Sequence, residues 1–139
     1  YDYFIYNEKN IKNYMVVTFD LNNLKMCNDN YGHSSGDAYI IHSAHIIETT
    51  FDRFGKCYRI GGDEFCCLIP DAAEFQIERF IQKMQQDIAI LNNKNIIPTE
   101  VGIACGYALA TPDDADIEKV RERADEMMYH NKKVLKGLI

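Results

Sequence analysis

Residues 59–65 read Arg59-Ile60-Gly61-Gly62-Asp63-Glu64-Phe65, and this stretch constrains the fold more than any other. Lys56-Cys57-Tyr58-Arg59-Ile60 precedes the glycines and Phe65-Cys66-Cys67-Leu68-Ile69 follows them. Both are apolar, β-prone runs, and two such runs around a Gly-Gly pair predict a β-hairpin. A hairpin in turn demands an antiparallel pair. Glycines let the backbone turn sharply and come close to a ligand. A hairpin tip needs no acids to fold, so Asp63 and Glu64 at the turn point to a cationic or phosphorylated ligand there.

Tyr14-Met15-Val16-Val17-Thr18-Phe19 reads as a buried strand ending at Asp20. Leu21 to Tyr31 fits a short helix, broken by Gly32-His33-Ser34-Ser35-Gly36. Asp37 is placed to cap the next helix, whose apolar residues Ile40, Ile41, Ala44, Ile47 and Phe51 keep helical spacing. Asp71 and Glu74 form a capping-box pattern ahead of a long helix with Ile77, Phe80, Ile81, Met84, Ile88 and Leu91 on one stripe. Val101 to Ala110 predicts a strand, weakened by Gly102 and Gly106. Thr111-Pro112-Asp113-Asp114 is a turn, and a last helix runs from about Ile117 to Leu135. The fold class expected is α+β, with helices flanking a mixed, partly antiparallel sheet.

The 139 residues suit one domain, residues 1–139. The chain starts at Tyr1-Asp2-Tyr3 without an initiator Met, as a fragment of something longer would. Net charge is −6, which argues against nucleic acid, because affinity for a phosphate backbone comes from Lys and Arg. A nucleotide remains compatible where a metal and a few lysines neutralise its phosphates. Cys27, Cys57, Cys66, Cys67 and Cys105 include no CxxC pair, so neither a zinc site nor a disulfide framework is indicated. Reduced thiols and the lack of a long apolar run predict a cytoplasmic domain without membrane contact.

Asp20 and Asp63 end two different strands. If those strands are neighbours, both carboxylates reach one Mg²⁺, with the Leu21 carbonyl beside them. Asp37 can accept from guanine N1–H and N2–H₂ together, and the Asn28 amide can both donate and accept, a pair that suits guanine better than adenine. Lys132 and Lys136, at i and i+4 of one helix, can meet terminal phosphates. Each residue alone has a plainer reading: Asp37 as a cap, Asp20 as a solvent-facing strand end, His33 as a turn residue, the lysines as a solvated face. Asp125 alone reads as a structural hydrogen-bonding residue.

Taken together, these segments resemble the GGDEF family of diguanylate cyclases, which condense two GTP into cyclic di-GMP and two pyrophosphates. The resemblance rests on three stretches: Asp20-Leu21-Asn22-Asn23-Leu24-Lys25-Met26-Cys27-Asn28-Asp29-Asn30-Tyr31-Gly32-His33-Ser34-Ser35-Gly36-Asp37, Gly61-Gly62-Asp63-Glu64-Phe65, and Ala124-Asp125-Glu126-Met127-Met128-Tyr129-His130-Asn131-Lys132. It implies a five-stranded sheet wrapped by helices, like the palm of nucleotidyl cyclases and polymerases. It implies that Asp20, the Leu21 carbonyl, Asp63 and Glu64 hold Mg²⁺, or Mn²⁺ in its place, and that Asp63 takes the proton of the ribose 3′-OH. Asn28 and Asp37 would read guanine with His33 nearby. Amides of Asn23, Leu24, Gly61 and Gly62 would contact phosphates, and Lys25, Lys132 and Lys136 would add positive charge. It further implies a homodimer, with one GTP per subunit, and an N-terminal sensory or regulatory domain of unknown kind.

Some positions depart from the family pattern. Asp52 and Gly55 stand where many members carry the Arg and Asp of a product-inhibition site, so that site is not expected here. The common Asp-x-Leu-Thr-Gly-Leu segment is absent, Asn22 replaces a common Asp, and Lys136 stands for an Arg. An alternative function is a catalytically silent module that senses GTP or cyclic di-GMP; intact acids favour the enzyme.

Overall fold

A computed structural model describes residues 13–135 and 137. Along the chain it contains β1 (Met15–Leu21), α1 (Leu24–Tyr31), α2 (His33–Phe51), β2 (Lys56–Arg59), β3 (Glu64–Ile69), α3 (Ile77–Asn93), β4 (Ile103–Leu109) and α4 (Ile117–Leu135). The strands form one sheet in the order β2-β3-β1-β4. This is the expected α+β fold with the expected hairpin, but two details differ. Among the described residues every pairing is antiparallel, so the sheet is not mixed there. Four strands, not five, lie among the described residues. Between α3 and β4, Asn95 sits at φ 54 and Pro98 follows, and the segment runs as turns and bends. A positive φ and a missing amide donor both oppose a β-ladder.

All seven residues of β1 are buried. Strand side chains alternate, so Met15, Val17, Phe19 and Leu21 share one core with Tyr39, Ile47 and Phe51 of α2 and Met84 and Ile88 of α3. Val16 turns the other way, into a smaller core with Cys66, Leu68, Ile117, Val120 and Ala124. Thr18 and Asp20 continue that second face toward the strand end. The strand is therefore a partition, apolar throughout on one side and turning polar on the other. Phe19 packs on Phe51 with ring centroids 5.5 Å apart, and burying such a side chain contributes about 1.5–3 kcal/mol.

Gly106, which weakens β4 as a sequence, has a packing reason. A Cβ there would lie 2.1 Å from the Ala124 carbonyl oxygen and 2.3 Å from the Met128 nitrogen. The missing side chain lets α4 lie directly on the sheet.

Two helix starts differ from expectation. α2 begins at His33, with Gly32 at φ 89 as its N-cap, so Asp37 does not cap it and instead lies one turn inside, exposed. α3 begins at Ile77 after Gln76, and no side-chain cap bond forms, so Asp71 and Glu74 make no capping box. The Ala72 amide donates to the Asn13 carbonyl at 2.7 Å. Phe75 stacks on Phe80 with centroids 5.1 Å apart, and Phe54 tilts against both. These tertiary contacts hold residues 71–75 as a loop against their local helix signal. All five cysteines are free thiols, as expected, and Cys57 faces Cys67 across β2 and β3. Among the described residues no helix is long and apolar enough to cross a membrane.

Candidate active site

The register of β1 against β3 sets Asp20 opposite Glu64. The Leu21 amide donates to the Asp63 carbonyl at 2.9 Å, closing the end of the ladder. Two strand ends distant in sequence thus converge and bring Asp20, Leu21, Asp63 and Glu64 together. Alternation points Asp20 toward α4, where Lys132 Nζ donates to its Oδ2 at 2.8 Å. Asp20 is only 4% exposed. No donor among the described residues reaches its other oxygen, Oδ1.

This cluster perturbs its own acidity. Burial pushes the Asp20 carboxyl above the usual carboxylate range; Lys132 pulls it back in part, and the Asp63 charge pushes it further up. Glu64 is also raised, first by burial and then by the charges of Asp20, Asp125 and Asp63. The hydrogen bond to Asp20 raises Lys132. Three carboxylates thus share a part-buried corner in which one ammonium pairs with Asp20, and one buried carboxylate oxygen accepts no hydrogen bond. Such a set of hard oxygen donors suits Mg²⁺ or Mn²⁺. Among the described residues no three His, Cys, Asp or Glu side chains close around one point. Mg²⁺ does not require that, because it takes one or two carboxylates and fills its shell with carbonyls, waters and substrate phosphates.

The hairpin tip beside these acids is bare. Gly61 and Gly62 are exposed, and neither adopts a positive φ. A Cβ on Gly62 would meet nothing within 4 Å, and one on Gly61 only the Glu64 Cβ at 3.9 Å. The turn itself would accept side chains, so the bend does not require the glycines, and their bare backbone is open to approach from outside. Arg59 fixes the tip: Nε donates to the Gly61 carbonyl at 3.1 Å and Nη2 to the Gly62 carbonyl at 2.9 Å.

Directly after β1, Asn23 adopts the left-handed conformation at φ 60 as N-cap of α1, and no side chain caps the helix. The first-turn amides there include those of Leu24 and Lys25, and a helix N-terminus favours anions. Lys25 itself is exposed. Tyr39, fully buried, holds this loop. Its hydroxyl donates to the Asn22 carbonyl at 2.5 Å and accepts from the Gly102 amide at 3.0 Å. The Asn22 amide donates to the Gly102 carbonyl at 2.8 Å.

Asn28, His33 and Asp37 form a second group, at the corner between α1 and α2. The Asn28 side chain fills the space of a Gly36 Cβ, which would lie 1.6 Å from Asn28 Oδ1. His33 and Asp37 stand exposed on the first turns of α2. Lys136 lies outside the described residues.

With the sheet and its acid corner in place, the sequence matches the family described as diguanylate cyclase, GGDEF domain, over residues 5–136. The chain belongs to this family. The diguanylate cyclase DgcN of Escherichia coli is 31% identical over 119 residues, 84% of this chain and 29% of that protein. An uncharacterized membrane protein of Staphylococcus saprophyticus is 30% identical over 127 residues, 88% of this chain and 35% of its own length. The chain spans about a third of the length of these curated relatives. Among solved structures, the GGDEF domain of DgcB from Caulobacter crescentus, in complex with c-di-GMP, aligns with a TM-score of 0.78 at 23% identity, over 91% of this chain and 75% of that one. The active GGEEF domain of a diguanylate cyclase from Vibrio cholerae aligns with a TM-score of 0.77 at 21% identity, over 94% and 83%. These structures share the fold.

Three residues of this GGDEF domain escape sequence reasoning. Tyr39 looks like one more residue of a helix stripe, and Arg59 like a strand-end charge. Gly36 leaves a signal: a glycine inside a helix costs about 1 kcal/mol relative to Ala, which invites a packing reason, and the Asn28 amide supplies it.

Proposed function

We propose that this domain is a diguanylate cyclase, joining two GTP into cyclic di-GMP with release of two pyrophosphates. The observation that carries the reading is the convergence of Asp20, Asp63 and Glu64 at one end of β1 and β3, beside a bare Gly61-Gly62 tip and the uncapped start of α1. Asp20, the Leu21 carbonyl, Asp63 and Glu64 would hold a divalent cation, Mg²⁺ or Mn²⁺. When bound, such an ion lowers the pKa of the attacking hydroxyl and draws charge from the phosphates. Amides of Asn23, Leu24, Gly61 and Gly62 orient the triphosphate, with Lys25, Lys132 and Lys136 adding positive charge. Asn28 and Asp37, with His33 nearby, take the guanine edge.

Asp63 accepts the proton of the ribose 3′-OH as that oxygen attacks the α-phosphorus of the other GTP, and pyrophosphate leaves. One domain holds one GTP, so two copies face each other for the reaction. Phosphoryl transfer needs mostly positioning and charge stabilisation, which fixed strand ends provide. The domain acts as the cytosolic output unit of a longer protein with an N-terminal sensory or regulatory part, consistent with relatives about three times as long. Incubating the protein with GTP and Mg²⁺ should yield cyclic di-GMP by mass spectrometry. GTP binding without product would favour the sensing alternative.

A further inference from the structure

Lys132 differs from an ordinary, solvated helix-end lysine. Its side chain is 27% exposed, and its ammonium spans from α4 to a carboxylate that is 94% covered. The contact is short at 2.8 Å, and it falls on one oxygen of the residue best placed to bind a cation. Asp63 and Glu64 flank that residue, so three carboxylates meet this ammonium, with the Asp125–Arg121 pair beside Glu64. A buried carboxylate without a counter-charge is strongly disfavoured, so Lys132 neutralises Asp20 within the fold. Mg²⁺ bonds oxygen ligands at about 2.0–2.1 Å. On either oxygen of Asp20, the unpartnered Oδ1 included, it would stand close to the ammonium held on Oδ2, and like charges at that range repel. The two cations compete for the one charge of Asp20.

Taking the site as one for a divalent cation and a nucleotide, as proposed above, we infer that Lys132 is an exchangeable counter-ion. It holds Asp20 until a divalent cation displaces it, and the freed ammonium then swings to the phosphates. Its position near the end of α4 and its flexible four-carbon stem permit the move. Cation and nucleotide therefore favour each other, since each relieves the cost of the other's arrival, and the coupling is reciprocal. Lys132 acts here as a positioning residue that couples the two ligands.

The test measures Mn²⁺ binding without nucleotide, by the electron paramagnetic resonance signal of free Mn²⁺, on the whole chain. Lys132→Met removes the competing charge at similar length, and Mn²⁺ should bind about tenfold tighter, within the ordinary range of coupling between ligands. Lys132→Arg keeps the charge and should stay near wild type. A non-hydrolysable GTP analogue should tighten Mn²⁺ binding to wild type and do so less in Lys132→Met. Unchanged or weaker Mn²⁺ binding by Lys132→Met would overturn the inference while leaving the cyclase reading intact. Wild type that binds no Mn²⁺ would overturn both. Should Lys132→Met fail to fold, amine labelling of wild type decides: Mn²⁺ should raise the reactivity of Lys132 toward a succinimidyl ester, read by peptide mass mapping. No rise would also sink the inference.

Discussion

At the end of β1, Asp20 is buried, ion-paired and pressed by two further carboxylates. At the corner between α1 and α2, His33 and Asp37 lie open to solvent, and no side-chain hydrogen bond or ion pair among the described residues engages either. One half of the site is constructed by the fold and bears its electrostatic cost before any ligand arrives. The other half is a pair of helix turns that a ligand edge would complete. The acids work only in a fixed geometry, so strands and a helix hold them. On the proposed reading, groups that take a base edge need only present donors and acceptors, so exposed turns suffice.

The largest expected effect falls on the constructed half. Asp63→Asn should lower cyclic di-GMP formation by about 10³-fold, the scale of a lost general base, while thermal unfolding stays near wild type. Wild-type turnover in that variant would remove Asp63 from the chemistry. Gly106→Ala attacks the same half from beneath. The new methyl would meet α4 backbone at Ala124 and Met128, so urea unfolding should show a loss of about 3 kcal/mol, typical of severe overpacking.

The open half should respond differently. Asp37→Ala should weaken GTP by about 30-fold through the lost charged hydrogen bonds, leave ATP binding unchanged, and not alter stability; calorimetric titration of both nucleotides decides. Gly36→Ala sharpens the point. It should stabilise the helix by up to about 1 kcal/mol yet weaken GTP, because the methyl displaces the Asn28 amide. Equal loss for GTP and ATP would break the assignment of this corner to guanine.

The smallest effect lies away from both halves. Asp114 accepts from the Thr111 amide and hydroxyl and pairs with Arg123, tying the turn before α4. Arg123 holds the Asp114 carboxyl below the usual carboxylate range. The stabilisation is present above the ordinary Asp pKa and is lost as pH falls through the lowered value. Asp114→Asn should therefore cost about 1 kcal/mol at neutral pH, and the difference from wild type should fade in strong acid.

The sequence made the constructed half legible because its chemistry and its fold share the same residues. Apolar runs around Gly61-Gly62 announce the hairpin, and acids at strand ends announce the cluster. The partnership of Lys132 with Asp20 was hidden, since it depends on how closely α4 lies on β4. That closeness comes from Gly106, which sequence pattern alone reads as a weakness of the strand. Tyr39 was hidden for a similar reason: its role is a hydroxyl aimed across the core at a loop. The false capping box at Asp71 and Glu74 shows the limit of local rules, because the aromatic packing of Phe54, Phe75 and Phe80 draws that segment away from the helix. At Asp37 the local signal for a cap is overridden because Gly32 caps the helix five residues earlier.

The crowding of Asp20, Asp63 and Glu64 on a domain of net charge −6 has a kinetic side. A free polyphosphate diffusing toward this corner meets repulsion, whereas its complex with a divalent ion meets less. Ionic strength should accordingly quicken encounter with the bare nucleotide, the opposite of what basic phosphate-binding surfaces do.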